Sequence, residues 1–179
     1  MKMPAGPRDE RGFTLIELML ALVLMSILFL GVWGIFFNGY ILWRQAEYRV
    51  DMYESLRFSL DMMGRELMYA RKPDGTTGGV VSPSGSSNLY FVNAEGKTVR
   101  YYRDGYQLMR KEYNIPQPLA SDIEDISFAY YDAAGTPLTP GSSGFPGTVR
   151  QVKITLTAKK YGSNVRPVVL VRKISLRSW

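Results

Sequence analysis

Residues 11–43 read RGFTLIELMLALVLMSILFLGVWGIFFNGYILW, and this stretch decides how the chain is organised. The 26 residues from Leu18 to Trp43 carry no charge. A helix of this length, rising ~1.5 Å per residue, exceeds the ~30 Å hydrocarbon core of a membrane. A secretory signal would end in small residues, whereas Val32 to Phe37 stay mostly bulky and apolar, so no cleavage behind the stretch is expected. The stretch is therefore predicted to be a transmembrane helix.

The charges before this stretch predict its orientation. Lys2, Arg8 and Arg11 precede the apolar run, and basic residues favour the cytoplasmic side of a membrane. We therefore expect a single-pass protein of the cytoplasmic membrane, with its N-terminus inside and its C-terminal part outside.

The composition of the whole chain argues against most enzyme mechanisms. The 179 residues include 22 Lys and Arg against 16 Asp and Glu, a formal net charge of +6, with no Cys and no His. Thiolate nucleophiles, disulfides and imidazole bases or metal ligands are thus excluded. Three acids, Asp122, Glu124 and Asp125, lie close together, but they lack the ligand loop of a calcium site. We predict no enzyme, no catalytic residue, no cofactor and no metal.

The run from Arg11 through Ser26 resembles the cleavage and methylation motif of type IV prepilins and type II secretion pseudopilins. The resemblance implies that residues 1–12 are a leader peptide, which a prepilin peptidase removes by cutting between Gly12 and Phe13. It further implies that Phe13 is N-methylated and that Glu17 acts in assembly and register.

Glu17 also stands out on physical grounds, because a carboxylate in an apolar helix costs roughly 2.5 to 3.5 kcal/mol without a partner. Cleavage would create an α-amino group at Phe13 that can approach Glu17 of the next subunit. The alternatives are an uncleaved anchor with Glu17 at the headgroup level, and a simple cap in which Thr14 begins the helix.

The helix is predicted to continue beyond the membrane to Arg71. Apolar residues recur there at spacings of three and four, at Ala46, Val50, Tyr53, Leu56, Leu60, Met63, Leu67 and Ala70. We divide it into residues 13–43, a transmembrane and filament-core segment, and 44–72, its amphipathic continuation. Burial of this stripe against the chain's own C-terminal domain is favoured over a coiled coil. Glycines at 31, 34 and 39 either loosen the helix or allow close helix packing.

The remainder predicts a small β domain. Residues 73–88 are a Gly/Ser/Pro-rich loop, and residues 89–179 carry strand patterns separated by turn signals such as Asp104-Gly105. The predicted strands are Leu89–Val92, Val99–Arg103, Tyr106–Tyr113, Ser127–Tyr131, Val152–Ala158 and Val168–Leu176. The expected fold class is α+β and type IV pilin-like, a long N-terminal helix packed on an antiparallel β-sheet domain. Parts of this domain resemble PilW-like minor pilins and the minor pseudopilin J.

Basic residues dominate the end of the chain, with eight Lys or Arg and no acid after Asp132. Such asymmetry creates a positive field. The candidate patch for an anionic partner comprises Lys153, Lys159, Lys160, Arg172 and Lys173. Its partner is left open between DNA phosphates, an anionic membrane surface and acidic faces of other pilins.

These patterns together predict a minor pilin or minor pseudopilin that is incorporated at or near the tip of a type IV pilus or type II secretion pseudopilus. The expected partners are a prepilin peptidase, other major and minor pilins or pseudopilins, the inner-membrane assembly platform, and membrane lipid before extraction into an extracellular or periplasmic filament. The alternatives are a DNA-binding minor pilin of a competence pilus and an uncleaved single-pass anchor that displays a β domain.

Overall fold

The computed structural model describes residues 14–71, 79–160 and 166–176. One helix, α1, spans Leu15–Met68. The chain divides into two compact units, of which the first ends at Ala46 and the second begins at Glu47, so α1 contributes to both. The helix ends three residues before the predicted Arg71, because Ala70 N donates to the Leu67 carbonyl at 3.1 Å and tightens the last turn.

The first part of α1 is apolar on all sides and exposed. The helix is long and apolar enough to cross a membrane, and its most apolar window has a mean hydropathy of 2.6 with no residue buried inside the chain. It continues through Gly31, Gly34 and Gly39 without a break. Length and composition thus agree with the predicted transmembrane segment.

The second part of α1 buries one face in the β domain. Its buried apolar side chains are Met52, Leu56, Leu60, Met63 and Leu67, and they join one core cluster with side chains from the strands. The prediction that this helix packs against its own β domain is confirmed. Val50 and Tyr53, which the spacing also placed on this face, are about half exposed, at 55% and 47%, because they lie off the stripe that Met52 begins.

The first sheet contains four antiparallel strands in chain order, β1-β2-β3-β4. Their bounds are β1 Asn88–Val92, β2 Thr98–Asp104, β3 Gln107–Glu112 and β4 Ile115–Ala120. The predicted turns around Gly96 and Gly105 are confirmed, and both glycines adopt a positive φ. The fourth strand was not predicted, since it contains Pro116 and Pro118 and follows a turn in which Tyr113 and Asn114 take positive φ without any glycine.

The second sheet also has four antiparallel strands, in the order β6-β5-β7-β8. Their bounds are β5 Ile123–Tyr131, β6 Pro137–Leu138, β7 Gln151–Ala158 and β8 Val168–Ser175. The alternating pattern of β7 is confirmed, because its side chains alternate between half-buried and buried along the strand. The expected single sheet domain is thus two sheets, and the two-residue β6 lies between Tyr131 and Val152, where no strand was predicted.

The loop before β1 is more buried than its composition indicates. Val80 is 2% exposed and forms an isolated bridge with Phe91. The Ser84 hydroxyl accepts from Tyr90 N at 2.8 Å, and Tyr130 Oη donates to the Gly85 carbonyl at 2.8 Å. The described part of this loop therefore closes over the core that both sheets share with the helix. The fold class is α+β, as predicted.

Candidate functional site

The predicted cleavage residues Gly12 and Phe13 lie outside the described residues, so the described part of the site begins with Thr14. Thr14 N and Oγ1 donate to Glu17 Oε2 at 2.9 and 3.0 Å, and Glu17 N approaches Thr14 Oγ1 at 3.4 Å. This reciprocal arrangement is a capping box, in which a hydroxyl and a carboxylate satisfy helix-end amides. A cap at Thr14 is one of the alternatives that the sequence left open, and Glu17 completes it, which was not predicted.

The capping box places the Glu17 carboxylate beside the backbone of Thr14, the residue after Phe13. A negative charge in the first turn also interacts favourably with the positive end of the helix dipole. Cleavage before Phe13 would put a cationic amine one residue away from Thr14. The geometry therefore suits the carboxylate to an interaction with a cation at the helix N-terminus.

Exposed apolar side chains cover the helix of the first unit on both sides of Glu17 along the chain and as far as Trp43. Large side chains from Leu15 to Trp43 are mostly more than half exposed, for example Leu24 at 55%, Phe29 at 65% and Ile35 at 78%. Removing apolar surface from water lowers the free energy. This surface is therefore built for contact with lipid or with other helices.

A polar cluster that the sequence did not predict fixes the second part of α1 to the first sheet. Arg110 Nη2 lies 2.8 Å from Glu66 Oε1 and 2.6 Å from Glu112 Oε2. Tyr101 Oη donates to Glu66 Oε2 at 2.6 Å. Arg110 is only 7% exposed, so these hydrogen bonds compensate for the cost of burying its charge.

The pKa shifts in this cluster follow from burial and pairing. Burial alone would lower the pKa of Arg110, but hydrogen bonds to Glu66 and Glu112 outweigh burial and raise it. Burial, followed by the Glu66 carboxylate, raises the pKa of Tyr101. The hydrogen bond from Arg110 lowers the pKa of Glu112. These shifts keep Arg110 and Glu112 charged and Tyr101 neutral, so the cluster serves as an anchor rather than as acid–base machinery.

Arg172, one of the five candidate basic residues, anchors α1 to the second sheet. Its Nη1 forms an ion pair with Asp61 and lies 3.4 Å from the Leu60 carbonyl. Arg172 is opposite Ile154 in the ladder, whereas Lys173 is opposite Lys153. Since neighbouring residues of a strand face opposite sides, Arg172 is on the inner face and the two lysines are on the outer face.

The other two candidate residues lie at the far end of β7. Lys159 and Lys160 follow the last residue of the strand, about 20 Å along the strand from Lys153 at ~3.3 Å per residue. Lys160 Nζ lies 3.2 Å from the ring centroid of Tyr48, and Lys173 Nζ lies 4.5 Å from that of Tyr131. The structure therefore brings together Lys153 and Lys173 and separates the other three residues from them.

The acidic residues Asp122, Glu124 and Asp125 do not assemble a metal centre. Within residues 14–71, 79–160 and 166–176, no group of three or more acidic side chains is arranged to hold a metal ion. Asp122 adopts a positive φ of 59° in the turn before β5, and the register of β5 shifts between Ile123 and Asp125. These residues shape the start of a strand.

Comparison with known families identifies the N-terminal stretch. Residues 7–33 match the family described as the prokaryotic N-terminal methylation motif, which is the signature of type IV pilin-like proteins. Proteins with this motif are structural rather than enzymatic, are processed by prepilin peptidase and associate with other pilins. A comparison with curated proteins finds no match. The motif covers Gly12, Phe13 and Glu17 and ends within the exposed apolar part of α1.

Proposed function

We propose that this chain is a minor pilin or minor pseudopilin, which a prepilin peptidase cuts between Gly12 and Phe13 and which is then added at or near the tip of a helical filament. One observation carries the proposal. The methylation motif at residues 7–33 continues directly into a helix whose apolar window has no residue buried within the chain.

The exposed apolar helix is suited to two environments in turn, first the membrane and then the filament. In the membrane, lipid covers residues such as Leu24 and Phe29; in a filament, the helices of other subunits cover them. Lipid tails and apolar side chains are similarly apolar, so exchanging one for the other costs little hydrophobic free energy. The β domain then stays outside, on the periplasmic or extracellular side, while the inner-membrane assembly platform extracts the helix.

Glu17 fixes the axial offset between neighbouring subunits in the filament. After cleavage and methylation, the amino group of Phe13 is a cation at the helix end, and Glu17 of a neighbouring subunit is its partner. In a low-dielectric bundle, an uncompensated carboxylate is costly, so only a stagger that pairs the two groups is stable. The capping box keeps the carboxylate at the helix end until a neighbour arrives.

A minor role is supported by the resemblance of the β domain to PilW-like minor pilins and the minor pseudopilin J. That resemblance includes the strand that becomes β3, the segment from Ile123 through Gly135, and the start of β7. DNA uptake is not carried forward as a second function, because the five basic residues that suggested it do not form one surface.

Cleavage is tested by co-expressing the full chain with a prepilin peptidase and measuring the intact mass of the membrane-extracted product. We expect the loss of residues 1–12 and the added mass of one methyl group. Gly12→Leu should block cleavage, whereas Gly6→Ala, a change within the same leader, should not. An uncut chain beside a processed control prepilin would overturn the proposal and leave a single-pass anchor.

The role of Glu17 is tested by co-purification with other pilins. Glu17→Gln keeps an oxygen for the capping box but removes the charge, whereas Glu17→Val removes both. We expect both variants to insert in the membrane and to co-purify poorly, while Glu47→Gln, in the same helix, should behave as the wild type. Normal co-purification of Glu17→Gln beside poor co-purification of Glu17→Val would show that the cap, not the charge, matters. Normal co-purification of both variants would exclude an assembly role for Glu17.

A further inference from the structure

The outer face of the first sheet carries an open recess of about 630 Å³ that combines cations with aromatic rings. Its lining residues are Tyr90, Gly96, Lys97, Thr98, Arg100, Lys111, Tyr113 and Asn114. None of these residues is an acid. A concave surface of this composition has the charge that an anionic ligand requires.

Arg100 lines the recess and packs against two aromatic rings. Its guanidinium carbon lies 4.2 Å from the ring centroid of Tyr102 and 5.1 Å from that of Tyr90, so two rings hold the side chain in place. Its Nε is buried and has no hydrogen-bond partner within the described part of the chain. A buried N–H without a partner is costly, so the side chain gains a hydrogen bond if it shifts to offer Nε to an oxyanion in the recess.

Lys111 adds a second cation directly across the ladder. Arg100 and Lys111 are register partners between β2 and β3, and like charges in this position repel. Over residues 14–71, 79–160 and 166–176, neither side chain forms an ion pair, whereas Lys97 pairs with Glu95 at 2.6 Å and with Glu112 at 3.4 Å. An anion placed between Arg100 and Lys111 would relieve this repulsion.

We propose that this recess binds a phosphate group, held between Arg100 and Lys111. A phosphate offers more acceptor oxygens than a carboxylate, so it can accept from the arginine fork and from the lysine ammonium together. Arg100 also lines a neighbouring recess of about 290 Å³, but Asp125 lines that one as well, which makes the acid-free recess the anion site. None of the lining residues belongs to α1, so the proposal does not depend on the role of that helix in assembly.

The direct test is a titration of the full chain, in zwitterionic detergent, with sodium phosphate against sodium chloride at equal ionic strength. The readout is the NMR signal of the arginine Nε–H groups. We expect the Arg100 signal to shift and saturate with phosphate only. An equal shift with chloride, or no shift at all, would overturn the proposal.

Variants locate the site. We expect Arg100→Gln and Lys111→Gln each to weaken phosphate binding at least tenfold. The matched control is Lys173→Gln, since Lys173 also lies over a tyrosine ring on an outer sheet face, and its affinity should stay within twofold of the wild type. Loss of binding in Lys173→Gln with retention in Lys111→Gln would overturn the assignment. Arg100→Lys, which keeps the charge but not the fork, tests the geometry if Arg100→Gln does not fold.

Two further ligands, a short oligothymidylate and the soluble lipid headgroup glycerophosphoglycerol, show which kind of molecule carries the bound phosphate. Their affinities are compared with that of inorganic phosphate. If the oligothymidylate binds most tightly, the recess takes a nucleic-acid strand; if the headgroup does, it takes a membrane lipid. Equal affinity for all three ligands means that the phosphate group alone is recognised. Binding of either ligand that survives both Arg100→Lys and Lys111→Gln would contradict the site.

Discussion

The two parts of α1 are one continuous helix with opposite relations to the rest of the chain. From Leu15 to Trp43 the large side chains are exposed on every side, although this part is the more apolar. From Met52 to Leu67 one stripe is buried among the strands, although charges fill the other side. Apolar content alone therefore does not decide burial; burial requires a complementary surface within the same chain, and the first part must find its surface elsewhere.

The acids of the two parts differ in the same way. Glu66 binds Tyr101 and Arg110, which lie 35 and 44 residues away in the chain. Asp61 binds Arg172, which lies 111 residues away. Glu17 bonds to Thr14 in its own first turn. The second part of the helix is thus fixed by contacts with the β domain, whereas, among the described residues, the acid of the first part bonds only within its own turn.

The largest difference is expected from one truncation made in each part. Leu67 is fully buried, at 0% exposed, and Leu24 is 55% exposed. Leu67→Ala should lower the free energy of unfolding of the β domain by about 2–5 kcal/mol, because it removes packed atoms and leaves a cavity. Leu24→Ala should leave it nearly unchanged. Near-UV circular dichroism of the full chain in detergent during urea unfolding measures both, and similar effects of the two variants would break the comparison.

A smaller effect is expected when the polar anchor is removed. Glu66→Leu takes a partner from Tyr101 and Arg110 but leaves Glu112 beside Arg110, so the arginine charge is not fully orphaned. We expect a loss of about 1–3 kcal/mol of stability. Glu54→Leu, at an exposed position of the same helix, is the control for the substitution itself. Equal stability of the two variants in the same unfolding assay would show that the cluster does not anchor the helix.

The same anchor predicts an acid-sensitive contribution to stability. The hydrogen bond from Arg110 lowers the pKa of Glu112 below its usual value of 4.5 in the folded chain. A lowered pKa contributes stability above the unfolded value, and this contribution is lost as the pH falls through the folded pKa. Glu112→Gln should therefore be less stable than the wild type at pH 7, and the difference should shrink below pH 4.5. A difference that does not change with pH would exclude Glu112 as the source.

The smallest effect is expected from the second ion pair of the helix. The side chains of Asp61 and Arg172 are 46% and 38% exposed, and an exposed pair contributes roughly 0–1 kcal/mol. Asp61→Asn should cost no more than this, and high salt should remove the difference by screening. A loss as large as that of Glu66→Leu would mean that the second sheet anchors α1 as firmly as the first.

Sequence patterns predicted the features that depend on near neighbours. The charge-free run and the spacing of three and four gave nearly all of α1, glycine gave the turns at Gly96 and Gly105, and alternation gave β7. The methylation motif at residues 7–33 could also be recognised, because its residues follow one another in the chain. In each case, the physical signal lies within a few residues.

Features that depend on distant residues were missed or misplaced. Glu66 and Arg110 meet only because α1 and β3 pack together, and nothing local to either residue indicates the pair. Arg172 was grouped with Lys173 because both are basic, but the pleat of β8 turns one inward and the other outward. β4 was missed because its turn uses Tyr113 and Asn114 at positive φ, where glycine is the usual signal.

The two prolines of β4 affect how the first sheet can pair with a second molecule. One edge of β4 pairs with β3, where Pro116 and Pro118 lie opposite Lys111 and Met109, and the other edge is free of any strand in the described part of the chain. Because proline has no N–H, that free edge offers no donors at the two proline positions. A strand from a second molecule finds an incomplete ladder there, which protects the first sheet from edge-to-edge aggregation. The first sheets of two copies therefore pair poorly along β4.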